Sequence, residues 1–143
     1  MSANGLNSPQ AARFVDGTSV WTGLHGSSTA LALLSAAGAH DGIVLVVTRS
    51  SHQSHLLEQD IRLFSDGSLP VLHFPDHETL PYDPFSPHPD IIAERLATLS
   101  SLAGIKRGLL LVPVSTLLQR LPPRSHALGR NIQLKIGQSL VIS

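Results

Sequence analysis

The chain has 143 residues, with ten basic and ten acidic side chains, eight histidines and no cysteine. That length supports one ordinary domain, or one domain and part of another. Zero net charge argues against a module whose main task is to grip nucleic acid through its phosphates. The absence of cysteine excludes disulfides, thiolate nucleophiles and cysteine-ligated zinc, and fits a reducing compartment.

The opening residues 1–18 lack the basic-then-apolar pattern of a secretory signal and read as a polar tail. No apolar run is long enough to span a bilayer, so a cytoplasmic protein with no membrane partner is expected. Ser19-Val20-Trp21-Thr22 is a candidate first strand. Gly42–Thr48 is the clearest strand, β-branched and apolar on both faces, as a strand covered by helices on two sides must be. Leu69–Phe74 and Gly108–Val112 complete a set of about four. Between them helices are expected over 27–37, 50–64 (Leu57, Ile61 and Phe64 on one side) and 90–103. Strands alternating with helices predict an α/β domain, a parallel sheet with helices on both faces, over residues 19–126. Leu121-Pro122-Pro123 marks its edge. Residues 127–143 then read as the start of a second domain left incomplete, with Asn131–Ile136 alternating polar and apolar like a half-exposed strand and Ser139 a candidate helix cap.

The most distinctive stretch is Glu78–Asp90, in which Pro81, Pro84, Pro87 and Pro89 remove backbone donors and fix φ, so neither a helix nor a central strand can run through it. A rigid, extended connector follows. In the next helix Ile92, Leu96, Leu99 and Leu102 recur at helical spacing and predict the buried face, Glu94, Arg95, Thr98 and Ser101 falling between them, with Asp90 suited to start the helix. Tyr82 and Phe85, with Asp83 and His88 beside them, would either plug the domain's own core or present an anchor to a partner.

Leu80-Pro81-Tyr82-Asp83-Pro84-Phe85-Ser86-Pro87-His88, then Asp90-Ile91-Ile92 and Arg95-Leu96, and later Val112–Arg120, resemble the amino-terminal, UvrB-like region of the bacterial transcription-repair coupling factors, the Mfd family. The resemblance is clearest from about Leu69 to Gln138 and continues in register back to about Trp21. It implies a degenerate P-loop motor (RecA-like) domain, followed by the first strand of a truncated second domain. For a full-length parent it implies an ATP-driven translocase on DNA that displaces stalled RNA polymerase at lesions and recruits excision repair through UvrA. ATP and magnesium would belong to motor domains outside this chain, and no cofactor is expected here.

In a motor fold the turn before the first helix carries the phosphate loop, where glycines let amides close on the phosphates, a lysine neutralises them and a hydroxyl holds magnesium. Here that turn reads Gly23-Leu24-His25-Gly26-Ser27-Ser28-Thr29-Ala30. Gly23 and Gly26 frame it, but Ser28 stands where the last glycine belongs, Thr29 where the lysine belongs and Ala30 where the metal-holding hydroxyl belongs. From the residues alone, a degenerate phosphate loop and a plain Gly-Ser turn capping a helix are both open; the resemblance favours the first. UvrB is similar with an intact loop and a long DNA-clamping hairpin, and the connector from Leu80 to Asp90 is too short for such a hairpin.

Other chemistry is thinly supported. His52 and His55 lie one turn apart and His73 and His77 flank Asp76, yet catalytic zinc needs a third ligand that neither pair has nearby. Ser86 and Ser115 lie in no nucleophile elbow. The expectation is a non-catalytic scaffold and docking domain, no catalytic residue and no metal site; the alternative is the nucleotide-binding lobe of a helicase-like ATPase.

Overall fold

The computed structural model describes residues 13–15, 18–79 and 86–129. Its central sheet is parallel and three-stranded, in the order β3 (Ile43–Thr48), β5 (Gly108–Pro113), β4 (Val71–His73). Ile43 pairs with Gly108 and Thr48 with Pro113 along one side of β5, and Val71 to His73 pair with Leu109 to Leu111 along the other. The α/β reading with helices on both faces holds.

Helices α1 (Ser28–Ala39) and α2 (Ser51–Phe64) cover one face. Ala30, Ala37, Ile61, Leu109 and Leu111 are fully buried there, with Val44, Val46, Leu57 and Val71 packed around them. Each comes from one side of its strand or one stripe of its helix; helical spacing in α2 predicted Leu57 and Ile61 there, whereas Phe64, expected on the same side, is 44% exposed. Ser50 caps α2 by accepting from the Gln53 amide at 3.2 Å, while the Gln53 side chain accepts from the Arg49 amide at 3.0 Å, close to a capping box. At the bottom of the sheet Gly108 is required for a close approach: an added Cβ would lie 2.7 Å from the Pro70 carbonyl oxygen, which accepts from the Leu109 amide at 2.9 Å.

Three features differ from expectation. The strand expected at 19–22 does not join the parallel sheet. It forms β2 (Thr18–Val20), antiparallel to β1 (Arg13–Val15), in a separate ribbon. The residues between them are Asp16-Gly17, a pair strongly favoured in two-residue hairpins, so local pairing competes with insertion into the sheet. Second, α3 (Pro89–Gly104) takes His88, not Asp90, as its N-cap: His88 Nδ1 accepts from the Asp90 amide at 3.3 Å, and Pro89 sits in the first turn, where its missing donor costs nothing. Third, the residues α3 buries are Arg95 and Thr98, while Ile92 is 40% exposed. The helix is fastened to the sheet by hydrogen bonds, and Leu99 and Leu102 of its apolar stripe face Leu45, Leu110 and Val112 across a hollow.

Two short helices follow β5, α4 (Val114–Leu117) and α5 (Arg124–Gly129). The expected strand at 131–136 and the cap at Ser139 lie outside the described residues.

Candidate docking site and phosphate-loop turn

Where β4 ends, the chain enters a turn organised by one carboxylate. Asp76 accepts from the Ser115 hydroxyl and the Gln119 carboxamide, which α4 and the turn after it present, and from the backbone amides of His77 and Glu78. Glu78 holds the left-handed conformation, φ 58°, which lets both amides close on the same carboxylate. Burial opposes the Asp76 charge, but the hydroxyl, carboxamide and backbone donors outweigh it and hold the carboxyl below its ordinary value. Ser115 is thus a donor to a carboxylate.

Arg95, 5% exposed, packs its guanidinium 4.2 Å from the centroid of the Phe74 ring and donates to the Pro75 carbonyl at 2.5 Å. Thr98 donates to the His73 carbonyl at 2.8 Å. The end of β4 is therefore tied to α3 by side-chain bonds and to α4 through Asp76. Burial lowers the pKa of His77 below its usual value, and the nearby Arg95 charge adds to this while Asp76 opposes it. Together these contacts fix the point from which the proline-rich connector leaves.

Of the connector residues singled out for docking, Tyr82, Asp83 and Phe85 lie outside the described residues. His88 is exposed at the head of α3, with Nδ1 3.3 Å from an Asp90 carboxylate oxygen.

Beside this node runs an apolar groove along α3. Leu99 lines three adjoining hollows of about 390, 240 and 200 Å³. The first is walled by His77, Ile92, Arg95, Arg120 and Leu121, the second by Leu45, Phe74, Thr116 and Gln119, the third by Leu102 and Arg124. The stripe Ile92, Leu96, Leu99 and Leu102 thus lines a groove instead of a closed core. On the same side of the sheet Leu45 and Val47 are 51% and 48% exposed.

The turn Gly23–Ala30 lies at the head of α1. Gly23 and Gly26 both take positive φ, 73° and 54°, the conformation that favours glycine. Ser27 occupies the N-cap position without a side-chain cap, and Ser28 spends its hydroxyl on the His25 carbonyl at 2.7 Å. Thr29 is half-buried. Ala30 is fully buried in the core cluster.

The histidine pairs do not assemble further. His52 and His55 are exposed on α2, and His73 lies with Nδ1 3.9 Å from Glu58 and 3.6 Å from Glu94. Among the described residues no group of three or more histidines or carboxylates is placed to hold a metal ion. No helix among them is long and apolar enough to cross a membrane. Sequence reasoning missed Asp76 and Arg95 as organisers. The signal available was a charged residue at helical spacing beside an apolar stripe, and the Phe-Pro-Asp run directly after a strand.

No family model matches the chain. Over 117 residues it is 41% identical to the transcription-repair-coupling factor of Escherichia coli, a match covering 82% of this chain and 10% of that protein. This chain is homologous to part of a transcription-repair-coupling factor. The homologue of Haemophilus influenzae is 40% identical over 79% of the chain, and that of Staphylococcus haemolyticus 30% over 68%. The matched region spans about a tenth of the length of these coupling factors.

Proposed function

We propose that this chain acts as a non-catalytic docking lobe of a transcription-repair coupling factor. The parent would be an ATP-driven DNA translocase that displaces stalled RNA polymerase at lesions and recruits excision repair through UvrA. The homology to coupling factors carries the reading. Two local features support the non-catalytic part. The turn Gly23–Ala30 offers no ammonium group for phosphate charge, and its last position is a core alanine. Helix dipole and amides alone contribute about 1–2 kcal/mol, too little for useful nucleotide affinity.

On this reading residues 23–30 are a degenerate phosphate loop kept for its shape, and the groove along α3, with Tyr82, Asp83, Phe85 and His88 in or beside the connector, meets the rest of the parent. UvrA and RNA polymerase would be reached through other parts of it, and ATP and magnesium held there. The positive-φ glycines at 23 and 26 leave a second reading, a nucleotide-binding lobe of a helicase-like ATPase.

A chimera tests the proposal. In the Escherichia coli coupling factor, the matching segment is exchanged for this chain, and release of stalled RNA polymerase and ATP turnover are measured. Both are expected to persist, and to be insensitive to a Thr29→Ala change in the graft. ATP turnover that falls with Thr29→Ala, or a chimera that binds ATP but releases no polymerase, would contradict the docking role.

A further inference from the structure

We infer that the groove along α3 docks an acidic, apolar peptide segment from the rest of the parent protein. This rests on the docking reading above and names the chemistry of what docks. Two independent observations carry it.

The first is charge. Arg95 and Arg120 line the first of the three adjoining hollows and Arg124 the third, and no described aspartate or glutamate lines any of them. The nearest organised carboxylate, Asp76, is taken up by Ser115, Gln119 and two backbone amides and offsets Arg95. Arg120 and Arg124 are both exposed, and neither forms an ion pair with a described residue. The mouth of an apolar groove therefore carries positive charge, although the whole chain has none in excess.

The second is hydrogen bonding. Thr116, 2% exposed, has a hydroxyl with no partner among the described residues, and the Gln119 carbonyl oxygen is buried and equally unpaired. Both residues line the same hollow as Leu45, Phe74 and Leu102. Buried polar atoms are ordinarily satisfied. A peptide occupant brings backbone amide donors of the kind both atoms lack, which a hydrocarbon does not. Apolar walls then select bulky side chains, and the arginines select carboxylates over ammonium groups.

The test uses three synthetic pentapeptides on the chain as it stands: acetyl-Leu-Glu-Phe-Leu-Glu-amide and its two counterparts with lysine or glutamine in place of glutamate. Amide shifts are followed by NMR. The acidic peptide is expected to bind at least about fivefold tighter than the lysine peptide at low salt, shifting Leu99, Thr116 and Leu121, with the difference shrinking as salt screens the charges. A double variant, Arg120→Gln with Arg124→Gln, removes the discrimination while both residues are on the surface and folding is undisturbed. Equal binding of all three peptides, shifts that map away from α3, or no saturable shift overturns the inference. The chimera assay does not depend on these peptides, so the two proposals fail separately.

Discussion

Asp76 shows how much one side chain fixes when its neighbours all donate to it. Replacing it with alanine removes the acceptor for Ser115, Gln119 and two backbone amides, and is expected to cost about 1–3 kcal/mol in denaturant unfolding. The folded-state pKa of Asp76 lies below its ordinary value, so its contribution is fully present above the unfolded value and is lost as pH falls through the folded one. His77, also held below its usual value by burial, binds its proton less readily when folded, so it too loses stability as pH falls. Stability measured between pH 7 and pH 5 should decline, and His77→Gln should flatten that decline. A slope unchanged in the variant would mean that His77 is not the source. Ala30 argues the same way for the turn at α1: with no space around it, Ala30→Thr should destabilise by about 1–3 kcal/mol through overpacking.

At the scale of elements, α2 was legible from the helical spacing of Leu57 and Ile61 and β3 from its β-branched run, although the second face of β3, read as covered, leaves Leu45 and Val47 about half exposed. The buried face of α3 was not legible. Its apolar stripe was read as core, while Arg95 and Thr98, polar by type, make the sheet contact because carbonyls of Pro75 and His73 wait for donors there. Thr98→Val, which keeps the shape and removes the donor, is expected to cost about 1 kcal/mol. Leu99→Ser, on the groove side, should change unfolding by less than Ile61→Ala, which opens a core cavity at about 2–5 kcal/mol. Equal losses would place Leu99 in the core after all. The ribbon β1–β2 has a different, purely local signal in the sequence, the hairpin-favouring dipeptide Asp16-Gly17.

For the molecule as a whole, the parallel sheet and its helical layers followed from the order of patterns along the chain, and the coupling-factor relationship from one proline-rich motif and the segment after β5. The groove was not visible in the sequence, because it arises from how α3, α4 and the sheet leave Leu45, Val47 and the α3 stripe partly bare. Partly bare apolar surface of this kind suits contact with another protein surface. On the docking reading proposed above, the lobe works by shape and contact and binds no nucleotide. Calorimetric titration of the chain with ATP and magnesium tests this most directly. The account predicts no binding at submillimolar concentrations of nucleotide; a saturable heat with submillimolar affinity, lost on changing the Ser27–Ala30 turn, would contradict it.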